Sequence, residues 1–349
     1  MRALVAMSGG VDSSVAAALM RDAGHDVVGV TLKMWSGPNG EAPTAGCCTV
    51  SDAEDARRVA GQLDIPYYVL DYTTEFRDGV VDRFISDYVS GRTPNPCIEC
   101  NRTVKFDRLL RRLDDFESDV LVTGHHARSR FDGRDWTLHR GADRAKDQSY
   151  VLSMLTQREL SRARFPVGEL TKPGVRSMAS SLGLRTADKP ESMDICFVGR
   201  RDYRAFLSKT APEAFVPGAL VDTDGHELGG HEGIAGFTIG QRRGLGVAVG
   251  EPRFVVRIEP ATSTVVLGRR AELGVSGAEL SQVVWTADGE GRGQVMAQYR
   301  AHGEPVPAVL DGDRLIFGDL QQAVAPGQTV AFYEGDRVLG GALIAETFV

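Results

Sequence analysis

Reactive side chains gather in three stretches of this 349-residue chain. Cys97 and Cys100 stand in Thr93-Pro-Asn-Pro-Cys-Ile-Glu-Cys-Asn101, followed by Arg102 and Lys105. Cys196 stands in Glu191-Ser-Met-Asp-Ile-Cys-Phe197, followed by Arg200, Arg201 and Arg204. Neighbouring cations and a helix start both lower a thiol pKa and favour the nucleophilic thiolate. Three readings stand open on these residues: a structural zinc site completed by Cys47-Cys48 or His125-His126, inert buried thiols, or redox and sulfur-transfer chemistry. Adjacent cysteines are poor partners for one metal, which weakens the first. Cys47 and Cys48, in a Gly/Pro/Thr-rich loop over residues 36–51, take no role.

The third stretch is Ala3-Leu-Val-Ala-Met-Ser-Gly-Gly-Val-Asp-Ser-Ser14. Its apolar run reads as a short buried strand that stops at Ser8-Gly9-Gly10, and from Val11 the apolar spacing is helical. Such a turn gathers backbone N–H groups at the helix start, where they and the helix dipole suit a phosphate. Gly9 and Gly10 permit close backbone approach, Ser8, Ser13 and Ser14 offer hydroxyls, and Asp12 orients the loop or holds a cation. The chain has no Gly-x4-Gly-Lys-Ser/Thr string, so this is not a Walker loop. It resembles instead the PP-loop, Ser-Gly-Gly-x-Asp-Ser, of the ATP pyrophosphatases, which split ATP into AMP and pyrophosphate.

The elements that must position these residues follow from pattern. Strands are expected over 2–7, 27–32, 67–70 and 119–123, and helices over 12–22, 51–63, 74–90 and 104–113. Ser51-Asp-Ala-Glu54 reads as the capping box of the second helix. Two prolines argue against a helix over Thr93–Asn101. This alternation predicts an α/β fold with a doubly wound parallel sheet, whose ligands sit at the C-terminal ends of strands. Residues 147–210 read as mostly helical, with breaks at Pro166, Pro173 and Pro190. From about residue 215, short alternating segments and the turns Asp288-Gly289, Asp311-Gly312, Pro326-Gly327 and Glu334-Gly335 predict hairpins. The expected domains are 1–210, catalytic; 211–270, a small β-rich linking module; and 271–349, a C-terminal β-barrel.

A content of 42% hydrophobic residues is enough for a sizeable core, yet no apolar run reaches the roughly 20 residues of a membrane span. The N-terminus lacks a signal-peptide layout, and five unevenly spaced cysteines make no secreted disulfide framework. A cytoplasmic protein with no membrane partner is expected. Net charge is −7, yet residues 101–210 carry 22 Lys and Arg against 15 Asp and Glu. A basic middle in an acidic chain fits a localised polyanion-binding face.

Further blocks extend the resemblance. Val104-Lys-Phe106, Thr123-Gly-His125, Lys146-Asp-Gln-Ser-Tyr150, Phe237-Thr-Ile-Gly-Gln241, Gln298-Tyr-Arg300, Pro326-Gly-Gln328 and Phe332-Tyr333 join the cysteine strings and the first turn. Together they resemble, over essentially the whole length, the tRNA-specific 2-thiouridylases. The resemblance implies ATP- and Mg²⁺-dependent conversion of the wobble uridine to 2-thiouridine in tRNAs for Lys, Glu and Gln. It implies a persulfide on Cys196, and Cys100 as the second catalytic cysteine, ending in a Cys100–Cys196 disulfide. The implied ATP site is Ala6, Met7, Ser8, Gly9, Gly10, Val11, Asp12, Ser13, Leu32 and Gly124. Asn95, Pro96 and Cys97 would contact the target base, which must leave the stacked anticodon loop. His125, Lys146, Asp147, Gln148, Gln298, Tyr299, Arg300 and Gln328 would touch tRNA. A sulfur-donor protein, a cysteine desulfurase or a relay protein, is implied as partner.

Two departures from the family pattern stand out. Cys97 replaces an Asp found in some members, which puts three thiols within reach of one site and opens an iron–sulfur cluster on Cys97, Cys100 and Cys196 as a variant. Gln298 stands where Arg is frequent. Two other functions compete: an amidating or lysine-ligating ATP pyrophosphatase, which does not need Cys100 and Cys196, and a non-catalytic nucleotide-sensing RNA-binding protein.

Overall fold

A computed structural model describes residues 1–36, 49–191, 195–198, 202–287 and 293–349. Cys47, Cys48, Ser192, Asp194, Arg200, Arg201 and the Asp288-Gly289 turn lie outside the described residues.

The parallel sheet is built from β1 (Arg2–Ala6), β2 (Asp26–Lys33), β3 (Tyr67–Asp71), β4 (Val120–Thr123) and β7 (Ala163–Arg164), in the order β3-β2-β1-β4-β7. Ala3, Leu4 and Val5 of its central strand are fully buried, because a parallel strand covered on both faces reads as a continuous apolar run. One face packs on α1 (Val11–Asp22), α2 (Val50–Gln62) and α6 (Lys172–Ser181) through Val15, Val59, Ala60 and Val175. The other packs on two longer helical runs, α3 over 73–89 and α4 over 96–111, through Phe76, Phe84, Val104 and Leu109. Helices on both faces make the doubly wound α/β unit that the pattern predicted.

Two local expectations are corrected. Helix α4 begins at Pro96, so Cys97 and Cys100 sit on it rather than in a loop before it. The first helical position tolerates proline, since its missing N–H has no intrahelical partner there. Asn95 supplies the cap, its side-chain oxygen accepting from the Cys97 and Ile98 amides at 3.2 and 3.4 Å. The capping box of α2 is Thr49 with Asp52, two residues earlier than expected.

Residues 147–210 are less helical than expected. A two-residue strand and a 3₁₀ turn at Pro166 separate α5 (Gln157–Arg162) from α6, and residues 182–191, with Pro190, follow α6 as turns before α7 (Tyr203–Thr210), while Pro173 sits in the first turn of α6 and does not break it. Within the first part of the chain the hairpin β5 (Ala127–Phe131) and β6 (Trp136–Arg140) escaped the pattern reading altogether.

The middle sheet, in the order β10-β11-β8-β9, joins β8 (Gly218–Asp222), β9 (Glu227–His231), β10 (Phe254–Glu259) and β11 (Thr264–Gly268) over its own core of Leu220, Phe237, Val255 and Leu267. The last six strands are β12 (Gly274–Trp285), β13 (Gly293–Gln298), β14 (Val306–Asp311), β15 (Arg314–Gln322), β16 (Thr329–Glu334) and β17 (Arg337–Phe348). They run β12-β15-β14-β13-β16-β17, and β12 also pairs with β17, which closes a six-stranded barrel as expected. Closure leaves no open edge among these six. The hairpin β5–β6 continues the barrel sheet outward from β17, with Val338 opposite Leu138 and Arg337 opposite His139. The barrel is thereby hydrogen-bonded to the first domain.

Candidate active site

The Ser8–Ser14 turn leaves β1 at its C-terminal end and enters α1 with Gly10 as N-cap and no side-chain cap. Among the described residues no side chain is seen to occupy the first-turn amides, and the helix start remains a seat for an anion. The serines brace the turn: the Ser8 amide donates to Ser13 Oγ at 3.1 Å, and the Ser14 hydroxyl to the Gly10 carbonyl at 2.8 Å. Gly9 has φ +72°, and a Cβ there would collide with the Asp52 carbonyl at the start of α2. Gly124, after β4, lies so close that a Cβ would stand 2.5 Å from the Ser13 amide nitrogen. Leu32 is buried near the end of β2. The residues expected at an ATP site thus share one edge of the parallel sheet.

Asp12 is the electrostatic centre of this edge. Its carboxylate accepts from Lys172 Nζ at 2.7 and 2.8 Å and faces His126 Nε2 at 3.0 Å. Burial raises its pKa, but the hydrogen bonds from His126 and Lys172 and the Lys172 charge outweigh that and hold it below the usual value. Lys172 is itself buried, at the first position of α6, and its ammonium also lies 3.7 Å from Glu191. Lys189 binds Asp52 and Asp55 at 2.7 and 2.6 Å beside the start of α2.

Sequence reading missed His126, Lys172, Glu191 and Lys189 as members of the site. Only His126 gave a signal, by following His125 after a strand. The lysines are distant in sequence and reach Asp12 and Asp52 through packing of the 172–191 segment across α1 and α2.

The cysteines reach the same edge. Cys100 is buried with its sulfur 3.7 Å from Met34 Sδ, just past β2. Trp35, next in sequence, packs against Phe197 at 6.1 Å between ring centres, and Phe197 meets Phe76 and Phe84 at 5.8 and 5.2 Å. Cys196, half-buried beside that anchored phenylalanine, and Cys100 therefore border one apolar cluster. Cys97 is half-buried one turn before Cys100. Glu99 on the same turn is buried and paired with Arg83 and Arg102 at 3.1 and 2.8 Å, which fixes this end of α4.

The residues expected to touch tRNA fall into two kinds. Lys146, Gln148, Tyr299 and Arg300 lie partly or fully exposed. Lys146 pairs with Glu191 at 2.8 Å, and Arg300 holds the Gln322 and Ala323 carbonyls and lies over the Tyr299 ring at 5.2 Å. Others are engaged internally. Gln298 is buried, accepting from Arg140 at 3.2 Å and donating to the Arg300 and Ala301 carbonyls. Asp147 accepts from the Gly141 and Ser149 amides, and Gln328 donates to the Thr93 carbonyl. His125 packs edge-on to Phe165 with Nδ1 2.7 Å from Thr123 Oγ1. Burial and then the nearby Lys105 charge push its pKa well down, so the ring is neutral at physiological pH.

A nucleotide-binding α/β domain with an anion seat at a strand–turn–helix, followed by a β-rich module and a closed barrel, defines the class. Residues 1–200 match the family model described as tRNA methyl transferase HUP domain, residues 204–269 its PRC-barrel domain, and residues 275–344 the aminomethyltransferase beta-barrel domain. The chain is 46% identical to the tRNA-specific 2-thiouridylase MnmA of Roseiflexus sp. (strain RS-1), over 98% of each chain. It is 47% identical to that of Carboxydothermus hydrogenoformans, over 98% of this chain and 97% of that one, and 48% identical to that of Chloroflexus aurantiacus, over 98% of each. The chain belongs to the tRNA-specific 2-thiouridylase family.

Proposed function

We propose that this enzyme 2-thiolates the wobble uridine of tRNA anticodons, with Lys, Glu and Gln tRNAs as acceptors, in the cytoplasm. Family membership carries ATP-dependent thiolation of tRNA uridine. The observation that supports this chain's own part is the convergence of the Ser8–Ser14 turn, Cys100 and the Phe197-anchored Cys196 segment on one edge of the parallel sheet.

The family implies ATP and Mg²⁺. In the proposed reaction the phosphates of ATP lie against the first-turn amides of α1, lined by Ala6 to Ser13, Leu32 and Gly124. Asp12 offers one hard carboxylate beside that seat, which fits an ion that keeps water and phosphate oxygens as its other ligands. When bound, Mg²⁺ neutralises phosphate charge. The uridine C2 oxygen attacks the α-phosphorus and pyrophosphate departs, turning a poor leaving group into AMP. The terminal sulfur of a Cys196 persulfide then attacks C2 and expels AMP. The Cys100 thiolate attacks Cys196 Sγ, the S–S bond of the adduct breaks, and the outer sulfur stays on C2. The resulting Cys100–Cys196 disulfide is returned to thiols by an external thiol reductant, and a sulfur-donor protein reloads Cys196.

Asn95, Pro96 and Cys97 receive the flipped base. Lys146 and Arg300 meet RNA phosphates, and Tyr299 stacks. Gln298 and Gln328 contribute by holding Arg300 and Thr93. Residues 1–210 carry the chemistry, 211–270 link, and 271–349 help to hold the RNA. Among the described residues no helix is long and apolar enough to cross a membrane.

The iron–sulfur variant on Cys97, Cys100 and Cys196 draws no support from the structure, in which the three sulfurs do not all lie within 4.8 Å of one another. Among the described residues, the group of three His, Cys, Asp or Glu side chains whose ligand atoms lie within 4.8 Å of one another is Asp222, Asp224 and His226. No step is assigned to iron.

Nucleoside mass spectrometry of tRNA incubated with the protein, ATP, Mg²⁺ and a cysteine desulfurase tests the reading. Wild type and Cys97→Ser are expected to form 2-thiouridine, while Cys100→Ser and Cys196→Ser form none. AMP release without any thiolated nucleoside from wild type would show that the acceptor is wrong.

A further inference from the structure

Glu191 stands between two lysines that serve different ligands. One carboxylate oxygen lies 2.8 Å from Lys146 Nζ, on the turn assigned to RNA. The other lies 3.7 Å from Lys172 Nζ, which is bonded to Asp12 at 2.7 and 2.8 Å. A cation between two carboxylates divides according to what else each of them holds. With Lys146 in place Glu191 is already neutralised, and Lys172 closes on Asp12, as the distances record.

The two pairs differ in how easily they exchange. The side chains of Lys146 and Glu191 are 39% and 45% exposed, so their pair is weak and open to competition. Lys172 is 10% exposed and must keep a counter-charge. An RNA phosphate competes well for Lys146, because its capture releases counterions.

We propose that Glu191 is a positioning residue that couples capture of RNA phosphate by Lys146 to release of Asp12 from Lys172. This rests on the reading that RNA meets the Lys146 turn and ATP the Ser8–Ser14 turn. When a phosphate takes Lys146, Glu191 loses its partner and draws Lys172 to itself. Asp12 is left with His126, its carboxylate available to the ion that accompanies the nucleotide. Metal–nucleotide therefore binds more tightly when RNA is bound, and RNA gains by the same factor when nucleotide is bound. Adenylating power is thus assembled only with the acceptor in place.

The test is calorimetric binding of Mg²⁺ with a non-hydrolysable ATP analogue to wild type, Glu191→Gln and Lys146→Met, each with and without saturating unmodified tRNA. In wild type the tRNA should tighten nucleotide binding by about fivefold or more, the low end of allosteric couplings. Glu191→Gln should still bind tRNA but show no tightening. Lys146→Met without RNA should bind nucleotide as tightly as RNA-saturated wild type, a gain that misfolding cannot produce. No tightening in wild type, unchanged tightening in Glu191→Gln, or no gain in Lys146→Met overturns the coupling. Failure of wild type to bind tRNA or nucleotide at all overturns the functional reading beneath it.

Discussion

Gln328 of the C-terminal barrel donates its side-chain amide to the main-chain carbonyl of Thr93 at 2.7 Å, across 235 residues of sequence. The Thr93 amide in turn donates to the Pro326 carbonyl at 2.8 Å. One barrel turn therefore grips Thr93 from both sides, immediately before the capped helix that carries Cys97 and Cys100.

This grip sets an order of effects. Gln328→Ala removes one hydrogen bond, about 1 kcal/mol. Gly327→Ala should cost more, because Gly327 has φ +89° and its Cβ would stand 2.9 Å from the Thr93 nitrogen. Both variants should slow thiolation, Gly327→Ala the more, with ATP-analogue affinity unchanged. A parallel loss of ATP affinity in the binding assay would mean that the turn acts on the whole fold instead.

Gly9→Ala should abolish nucleotide binding, since its Cβ and the Asp52 carbonyl cannot both be accommodated and the position is left-handed. Gly124→Ala presses on the Ser13 amide and should act in the same direction. Equilibrium binding of ATP analogue to the two variants checks this, and wild-type affinity in either would show that the turn yields.

Lys172→Met leaves the Asp12 carboxylate partly buried with, among the described residues, only His126 beside it, which should destabilise the fold by about 3 kcal/mol at neutral pH. The Asp12 pKa lies below its ordinary 3.8, so its carboxylate contributes stability that is present above 3.8 and lost as pH falls through the lower folded value. Urea titrations should therefore show the gap between wild type and Lys172→Met narrowing below pH 3.8. A gap that does not change with pH would assign the loss to packing alone.

His125 also weakens the fold on acidification, but from a higher pH. Its folded pKa lies well below 6.5, so the unfolded chain takes up a proton that the folded protein refuses. The stability of the neutral ring is complete above 6.5 and falls as pH drops below it, by up to ~1.4 kcal/mol per pH unit. The wild-type denaturation midpoint should decline between pH 6.5 and 5, and that decline should flatten in His125→Asn. An equally steep decline in the variant would assign it to other groups.

Residues 2–14 were readable because strand, turn and helix start are local: apolar run, glycines and helical spacing each report on their own neighbours. The α/β class and the β-rich C-terminal part followed from the same periodicities. Where a local rule had two outcomes the reading failed, as at Pro96, which breaks a helix in its interior but begins one at its first turn.

What the sequence by itself determined was the type of strands β1 to β4, the anion-binding turn and the identity of the thiols. Tertiary structure decided which groups meet them. Lys172 and His126 reach Asp12 only because α6 and the end of β4 pack beside α1. Cys100 and Cys196 share a cluster only because Met34, Trp35 and Phe197 fold over α3 and α4. The barrel closes by pairing β12 with β17, and the hairpin β5–β6 of the first domain extends it. Such contacts depend on burial and pairing between segments far apart in the chain, and no periodicity within one segment records them.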